Sequence, residues 1–337
     1  MTRVAIMGSG SWGTAFGMVL ADAGSDVVIW GRNPEVVADI DVNHRNEAFH
    51  AGVVLPTRIS ATVDARVALA DASIVVLAVP AQVLRANLGA WGEEIDHDAV
   101  LVSLMKGIEI GTTKRMSQVI MESAGVTSER VAVVSGPNLA REIAARQPAA
   151  TTVACVDEAS ARRLQEACTT DYFRPYWTTD VVGTEIGGAV KNVIAVANGM
   201  AAGMGLGENS QASLITRGLA EMARLGVALG ADPLTFQGLA GVGDLVATCQ
   251  SPLSRNRTFG FNLGQGLSVD ETIAATSQTC EAYKSCQPIL ALGREHGVDM
   301  PITEQVVEVL YNGRSPKLMA AAFMSRDTKS EALLRDA

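Results

Sequence analysis

The sequence predicts an α/β fold in which an N-terminal domain with a doubly wound sheet, at residues 1–178, is followed by an all-α domain at residues 179–337. Three observations support this prediction. A glycine-rich turn joins a strand-like run to a helix-like run near residue 8, and short apolar runs rich in Val, Ile and Leu recur as far as residue 156. From residue 179 these runs give way to apolar residues at helical spacing.

The glycine-rich turn has the spacing of a dinucleotide-binding loop. It follows the apolar run Val4–Met7 and precedes a helix that we predict over Thr14–Ala23. Gly8 permits a tight turn, Gly10 lets backbone amides approach a pyrophosphate, and Gly13 lets the helix pack closely on the strand. The helix N-terminus then faces the phosphates. We therefore expect a Rossmann-type domain that binds a dinucleotide.

The later apolar runs predict the remaining strands and helices. Further strands are predicted at 26–30, 73–79, 100–104, 131–134, 151–156 and 172–177. Continuous Val, Ile and Leu suit strands that are buried on both faces, so we predict a parallel sheet with ligands at the carboxyl ends of its strands. In the second domain, helical periodicity runs through 186–200 and 213–229.

Composition restricts the classes of function. The 337 residues carry a formal net charge of −9, which argues against sequence-independent binding of nucleic acid because such binding requires a basic surface. No apolar run is long enough for a membrane span, so we expect no stable membrane insertion, and we recognise no targeting segment. The five cysteines lack C-x-x-C spacing, which favours neither disulfides nor a zinc site and suits a cytoplasmic location.

Arg32 bears on the choice of cofactor. It follows the second predicted strand, where an NAD-specific domain usually carries an acidic residue for the ribose hydroxyls. A guanidinium at this position can pair with a 2′-phosphate and stack on adenine. We therefore predict that NADP(H) is preferred and that NAD(H) is possible. The alternative is a solvated loop arginine.

Lys191 is the best catalytic candidate because it lies inside an otherwise apolar predicted helix. Its ammonium could protonate a ketone oxygen while hydride reaches the carbon, and its neutral form could serve the reverse oxidation. The alternative is a lysine that reaches solvent. Asp244, one helical turn before Thr248, is expected to orient Lys191, to cap a helix, or both. A second lysine, Lys106, follows a predicted strand, and its alternative role is that of an ordinary loop lysine.

Two segments carry groups that suit a phosphate. Gly136 and Asn138 belong to a turn that can offer amide donors, and Asn138 is also suited to capping the next helix. The segment S-R-N-R at 254–257 adds planar guanidinium groups and an amide. In an acidic chain this set predicts a phosphorylated small-molecule substrate. No cluster of His, Cys and Asp indicates a metal, and none is expected.

Seven motifs together resemble those of NAD(P)-dependent glycerol-3-phosphate dehydrogenases of the bacterial cytoplasmic form. They are GSGSWGTA, LMKGIE, SGPNLAREI, GGAVKNVIAVANGM, SLITRGLAEM, AGVGDLVATC and SRNR, and they extend over most of the chain. The resemblance implies reversible reduction of dihydroxyacetone phosphate to sn-glycerol 3-phosphate, the backbone precursor of membrane phospholipids. It also implies that Lys191 donates and accepts the proton.

The resemblance also implies the ligand contacts. The cofactor contacts would be Ser11, Trp12, Arg32, Lys106, Ala140, Arg255, Thr279 and Glu281. The substrate contacts would be Lys106, Gly136, Asn138, Lys191, Asp244, Ser254, Arg255 and Asn256, to which we add Asn192 and Thr248. Two positions depart from the family pattern. Asn138 stands where many relatives have Ser or Thr, and Gln211 occupies a place that is often basic.

The implied mechanism holds the substrate phosphate on Arg255 and Asn256, with the carbonyl between Lys191 and Lys106 in a cleft between the domains. Two other functions remain open at this stage. One is a reductase of unphosphorylated hydroxy acids, and the other is a non-catalytic dinucleotide sensor. Apolar helices such as Ala189–Met200 suggest a homodimer. The sequence leaves open the ratio of NADPH to NADH use, the direction of the reaction in the cell and feedback inhibition.

Overall fold

The computed structural model describes residues 2–275 and 280–325. The chain forms two compact units. Unit 1 comprises Met1–Met105 and Arg115–Val181, and unit 2 comprises Lys106–Lys114 and Val182–Ala337. Residues 106–114 thus group with the second unit, although the division drawn from the sequence placed them in the first.

Unit 1 contains an eight-stranded sheet with helices on both faces. The strands are β1 (Arg3–Met7), β2 (Asp26–Trp30), β3 (Ile59–Thr62), β4 (Ile74–Leu77), β5 (Val100–Ser103), β6 (Val131–Ser135), β7 (Ala149–Cys155) and β8 (Phe173–Thr178). Their order is β3-β2-β1-β4-β5-β6-β7-β8. The order reverses between β1 and β4, which is the topological switch point of a doubly wound sheet. The predicted fold class is confirmed.

The sheet is buried on both faces, as continuous apolar strands require. In β1, Val4 and Ile6 belong to one hydrophobic core, whereas Ala5 and Met7 belong to another on the opposite face. Successive side chains of a strand point to opposite faces, so helices must cover both sides. The helices of this unit are α1 (Ser11–Asp22), α2 (Pro34–Asn43), α3 (Ala65–Leu69), α4 (Leu84–Trp91), α5 (Met116–Ala124), α6 (Ala140–Ala144) and α7 (Glu158–Ala167).

Two features of the sheet differ from the sequence prediction. The strand β3 was missed because its sequence, Ile-Ser-Ala-Thr, has one buried residue and no apolar run. The strand β7 pairs antiparallel with β6, whereas an all-parallel sheet was predicted. The connection at residues 136–148 contains only the five-residue helix α6, which spans about 7.5 Å and so does not cover the length of a five-residue strand, about 16 Å, as a crossover helix would.

Unit 2 is helical, as predicted. Its helices are α8 (Val181–Gly203), α9 (Glu208–Ala228), α10 (Asp244–Gln250), α11 (Arg255–Gly264), α12 (Val269–Ala275), α13 (Glu281–Glu295), α14 (Pro301–Asn312) and α15 (Pro316–Met324). Within residues 2–275 and 280–325, no helix combines the length and the apolarity that a membrane crossing requires.

The helices α8 and α11 pack at very short range through glycines. A Cβ atom at Gly199 or Gly203 of α8 would collide with backbone carbonyls of α11. Reciprocally, a Cβ atom at Gly260 or Gly264 of α11 would collide with carbonyls of α8. Small residues four apart allow two helix backbones to approach closely. This packing fixes the start of α11 against the middle of α8.

Candidate functional site

Lys191 lies in the middle of α8, and its ammonium group is buried. The residue is 6% exposed, and its neighbours Val190 and Val193 are fully buried. Its Nζ donates to Asp244 Oδ1 at 2.5 Å and to Thr248 Oγ1 at 2.6 Å. The lysine therefore does not reach solvent, which excludes the alternative considered for it from the sequence.

Asp244 is shared by two lysines. Its second carboxylate oxygen, Oδ2, accepts a hydrogen bond from Lys106 Nζ at 2.6 Å. Lys106 belongs to the segment that groups with unit 2, where Ile108 is fully buried in the same hydrophobic core as α8. One buried carboxylate thus holds two ammonium groups in place, and a net positive charge remains when both lysines are protonated.

Glycines allow this cluster to form. Asp244 begins α10 directly after the π-helical turn Leu239–Gly243. Gly187 lies one turn before Lys191 on α8, and a Cβ atom there would collide with the carbonyl oxygen of Ala240. Because Gly187 has no side chain, the start of α10 can approach the face of α8 that carries Lys191. The hydrogen bond from Lys191 to Asp244 agrees with the prediction that Asp244 orients Lys191.

The pKa of Lys191 is unusually low for a lysine. Burial is the largest cause and lowers the pKa from 10.5 to about 8, even though the Asp244 carboxylate raises it. The Lys106 ammonium also contributes to this decrease. Lys191 therefore remains protonated at neutral pH but can release its proton, which is the property expected of a general acid.

The start of α11 places Ser254, Arg255 and Asn256 next to α8 and α13. Ser254 is the N-cap, and its hydroxyl accepts a hydrogen bond from the Arg257 amide at 3.3 Å. Arg255 is exposed, whereas Asn256 is buried. The exposed guanidinium and the N-terminus of a ten-residue helix suit a phosphate group.

Asn256 is held by several protein groups. Its Nδ2 donates to Asn192 Oδ1 at 2.9 Å, and Asn192 in turn donates to the Gly188 carbonyl at 3.3 Å. Its Oδ1 accepts from the Ala282 amide at 3.2 Å and from the Cys280 thiol at 3.1 Å. One of the two amide hydrogens that the sequence assigned to a phosphate is thus already used within the protein.

Three other positions that the sequence analysis singled out also lie in the second part of the chain. Glu281 is the first residue of α13, and burial raises the pKa of its carboxyl group although Arg255 opposes this change. Thr279 lies outside the described residues. Gln211, which departs from the family pattern, donates to the Leu206 carbonyl at 3.1 Å and so stabilises the start of its own helix.

In unit 1 the glycine-rich loop has the geometry that a dinucleotide requires. Gly8 has a φ of +137°, and a Cβ atom at Gly13 would collide with the carbonyl oxygen of Gly8. Gly10 is the N-cap of α1, and a Cβ atom there would meet nothing within 4 Å. The loop therefore needs glycine for its turn and its packing, and it is open at Gly10, where a phosphate would approach. The residues fit the predicted cofactor.

The other predicted cofactor contacts of unit 1 lie at chain turns. Ser11 and Trp12 form the first turn of α1, which starts three residues earlier than predicted. Arg32 is exposed directly after β2, and Ala140 begins α6. An exposed Arg32 fits both the predicted contact with a 2′-phosphate and the alternative of a solvated arginine.

The turn after β6 differs in one respect from the prediction. Gly136 has a φ of +154°, as the tight turn requires. Asn138 does not cap the next helix, because the N-cap of α6 is Leu139. Its Nδ2 donates instead to Thr151 Oγ1 at 2.9 Å, since β7 runs back beside β6 and places Thr151 there. Asn138 Oδ1 is buried without a hydrogen-bond partner.

Sequence reasoning missed two buried residues that contact the glycine-rich loop. Asn46 is 1% exposed and His50 is 3% exposed, and both donate hydrogen bonds to the loop or to the first turn of α1. Their segment has no strand or helix pattern. Asn46 lies between two charged residues and His50 between Phe49 and Ala51, and neither pattern distinguishes a buried polar side chain from a solvated one.

Two further groups were considered for chemistry. Asp96, His97 and Asp98 bring possible ligand atoms within 4.8 Å of one another, but all three residues are exposed. The sequence does not predict this cluster. Cys249 follows Thr248 in α10, and burial raises the pKa of its thiol to about 12, so the thiol stays protonated and poorly nucleophilic at neutral pH.

Comparison with known proteins identifies similar sequences over nearly the whole chain. The model of the NAD-dependent glycerol-3-phosphate dehydrogenase N-terminus matches residues 3–161, and that of the C-terminus matches residues 180–321. The NAD(P)+ glycerol-3-phosphate dehydrogenase of Streptomyces griseus is 59% identical over 98% of both chains. Its counterpart in Thermobifida fusca is 60% identical over 98% of this chain and 99% of that relative.

A solved structure of a glycerol-3-phosphate dehydrogenase is also similar over nearly the whole chain. The crystal structure of glycerol-3-phosphate dehydrogenase from Coxiella burnetii has a TM-score of 0.92 and 34% sequence identity, covering 96% of this chain and 99% of that one.

Replacement of Lys191 by Met should stabilise the protein at neutral pH. The folded-state pKa of about 8 lies below the unfolded value near 10.5, so the buried ammonium opposes folding. We expect Lys191→Met to raise the free energy of unfolding by on the order of 2 kcal/mol at about pH 7, measured by urea denaturation. The gain should be complete below about pH 8 and disappear as the pH rises toward 10.5.

Lys106→Met is the matched control, because Lys106 shares the same carboxylate but its side chain is 16% exposed. Lys106→Met should stabilise the protein less than Lys191→Met does, because the ammonium group that it removes is less buried. A Lys191→Met variant that is less stable than the parent at neutral pH would show that the lysine serves as a structural ion pair.

Proposed function

The chain belongs to the NAD-dependent glycerol-3-phosphate dehydrogenase family, and on this basis we propose that it catalyses the reversible NAD(P)H-dependent reduction of dihydroxyacetone phosphate to sn-glycerol 3-phosphate. The observation that carries the proposal is the buried Lys191 ammonium, held by Asp244 and Thr248 with a pKa near 8. A buried ammonium group lowers the stability of the folded protein, and a role in proton transfer accounts for its presence.

In the proposed reaction, Lys191 Nζ donates a proton to the carbonyl oxygen as C2 receives hydride. A nicotinamide cofactor, when bound on the loop Gly8–Gly13, would supply that hydride. Lys106 adds positive charge beside the same carboxylate and stabilises the oxygen as it becomes negative. The neutral amine that remains on Lys191 is the base for the reverse oxidation. Asp244 holds both lysines in position.

The phosphate of the substrate is proposed to bind at the start of α11. Arg255 offers an exposed planar guanidinium, and Ser254, Asn256 and Asn192 form the hydrogen-bonded surface beside it. Because Asn256 is fixed by Ala282 and Asn192, its remaining amide hydrogen has a defined direction. Gly136 and Asn138 are proposed as further substrate contacts. A fixed array of donors recognises a phosphate at little cost in side-chain entropy.

The cofactor is proposed to bind on the loop Gly8–Gly13, with NADP(H) preferred through Arg32 and NAD(H) possible. Further proposed cofactor contacts are Ser11, Trp12, Lys106, Ala140, Arg255, Thr279 and Glu281. We also propose that residues 1–178 and 179–337 act as cofactor and substrate domains. We propose further that the protein is a homodimer in the cytoplasm and that its product supplies glycerophospholipid synthesis.

The direct test follows the loss of NADPH absorbance when dihydroxyacetone phosphate is added to the purified protein. We expect rapid oxidation of NADPH, slower oxidation of NADH and almost none with unphosphorylated dihydroxyacetone, since the site at α11 would lack its phosphate. Binding of NADPH without oxidation by dihydroxyacetone phosphate would contradict the proposed substrate. Equal rates with dihydroxyacetone would contradict the phosphate site.

Asp244→Asn should shift the pH dependence of the reaction. The carboxylate raises the pKa of Lys191, so its loss lowers that pKa below about 8. Reduction requires protonated Lys191, and its decline at high pH should therefore begin about one pH unit lower. Oxidation of glycerol 3-phosphate requires the neutral amine and should gain relative activity at lower pH.

The measurement is kcat/KM in both directions against pH. Thr248→Val is the matched control, because it removes a hydrogen-bond acceptor of Lys191 without a change of charge and should shift the profile less. An unmoved profile in Asp244→Asn would mean that a group other than Lys191 titrates.

Arg32→Asp should reverse the cofactor preference. Loss of a charge-assisted pair with the 2′-phosphate should raise the KM for NADPH by at least about tenfold, while the KM for NADH changes by less than about threefold. Arg163→Asp, an exposed arginine on α7, controls for the change of net charge. Equal losses for both cofactors would exclude a contact with the 2′-phosphate.

A further inference from the structure

Two buried polar side chains next to the glycine-rich loop have no role in the reaction described above. They are Asn46 and His50, which lie in the segment between α2 and β3. We call this pair the clasp. Both residues belong to unit 1, as does the loop. Buried polar groups in a loop segment require hydrogen-bond partners, and here the partners are the backbone and side chains of residues 9–14.

Asn46 joins the two ends of the loop. Its Nδ2 donates to the Ser9 carbonyl oxygen at 3.1 Å and to Thr14 Oγ1 at 2.9 Å. Both amide hydrogens are thus used. The carbonyl of Ser9 only accepts hydrogen bonds, so the nitrogen of Asn46, and not its oxygen, must face it. Thr14 is fully buried in the first turns of α1.

His50 contacts a carbonyl group two residues further along the chain. Its Nε2 lies 2.8 Å from the Ser11 carbonyl oxygen, which can only accept, so Nε2 carries the proton. Burial lowers the pKa of His50, so the neutral form with hydrogen on Nε2 dominates at neutral pH. His50 therefore acts as a fixed hydrogen-bond donor to the start of α1.

The segment that carries the clasp is itself held in place. The amide of His50 donates to the Asn46 carbonyl at 2.7 Å, and the amide of Gly52 donates to the Glu47 carboxylate at 3.1 Å. The amide of Leu55 donates to the His44 carbonyl at 2.8 Å, which closes the segment on the end of α2. Asn46 and His50 therefore project from a braced turn and can constrain the loop that they contact.

The contacts of Asn46 and His50 with two carbonyl groups also fix the directions of the amides that follow those carbonyls. In a planar trans peptide the C=O and the following N–H point in opposite directions. A fixed Ser9 carbonyl therefore fixes the direction of the Gly10 amide, and a fixed Ser11 carbonyl fixes that of the Trp12 amide. These amides lie where α1 begins, and the donors at such a helix start bind a pyrophosphate.

We propose that Asn46 and His50 are positioning residues that aim the Gly10 and Trp12 amides at the cofactor pyrophosphate. The clasp touches the loop from the carbonyl side and acts on the cofactor only through these amides. The inference rests on the proposed use of a dinucleotide by this loop. It predicts that loss of either clasp residue weakens cofactor binding and leaves the binding of dihydroxyacetone phosphate unchanged.

The test compares paired variants of the full-length protein. His50→Leu removes the donor, whereas His50→Gln keeps an N–H at nearly the same position. Asn46→Leu keeps the approximate shape of the side chain but removes both hydrogen bonds. Asn43→Leu is the control, because Asn43 is exposed in the same region and bonds only to Asp39 among the described contacts. The Kd for NADPH is measured by quenching of tryptophan fluorescence, and kcat and both KM values are measured by NADPH oxidation.

We expect His50→Leu and Asn46→Leu to raise the Kd and the KM for NADPH about tenfold each. At saturating NADPH, kcat and the KM for dihydroxyacetone phosphate should stay within about threefold of the parent. His50→Gln should recover most of the affinity, and Asn43→Leu should bind as the parent does. Fluorescence-monitored thermal unfolding should show that the variants are folded at the assay temperature.

Unchanged NADPH affinity in the Leu variants would overturn the proposal. So would a His50→Gln variant that binds as weakly as His50→Leu, or a loss that lowers kcat and raises both KM values together, since either result means general disruption of the unit. The proposed function fails separately. If the parent binds NADPH but does not oxidise it with dihydroxyacetone phosphate, the substrate assignment fails and the Kd values still decide the role of the clasp.

Discussion

The candidate active site depends on one buried carboxylate. Asp244 accepts a hydrogen bond from Lys191 on one oxygen and from Lys106 on the other, and without it two ammonium groups would face each other in a buried site. Burial already lowers the pKa of Lys191 to about 8, and Asp244 prevents a larger decrease. The carboxylate thus keeps the lysine protonated at neutral pH while burial keeps the proton easy to release. This balance produces an acid that can work near neutrality.

The backbone packing of unit 2 serves this balance. Gly187 lets the turn before α10 reach α8, and the glycines shared by α8 and α11 bring Asn256 within hydrogen-bond distance of Asn192. A side chain at any of these glycines would collide with the backbone that faces it, and the shift needed to relieve the collision would stretch the hydrogen bonds between these segments. The cluster of Lys191 and Asp244 and the proposed phosphate site are therefore positioned by the same helix, and a small shift of α8 would disturb both.

Much of this could be predicted from local sequence, and the rest depends on contacts between distant segments. A lysine in an apolar helix and a G-x-G-x-x-G turn are visible without a structure, as are the continuous strands of a buried sheet. The partners of Asn256 and the clasp formed by Asn46 and His50 arise only when segments that lie tens of residues apart meet. The antiparallel β7 goes with a connection that holds no full-length crossover helix, and the five residues of α6 are too few to show a helical period in the sequence. Asn138 has a strong N-cap preference, but its contact with Thr151 prevails.

The central claim is that Lys191 donates the proton in reduction, and the most direct measurement is the single-turnover rate of hydride transfer in Lys191→Met with NADPH and dihydroxyacetone phosphate at saturation. The account predicts a rate lower by about a thousandfold, with the Kd for NADPH within about twofold of the parent, because general acid catalysis contributes on this scale and the cofactor loop lies in the other unit. A rate within about threefold of the parent would contradict the claim and assign proton donation to another group.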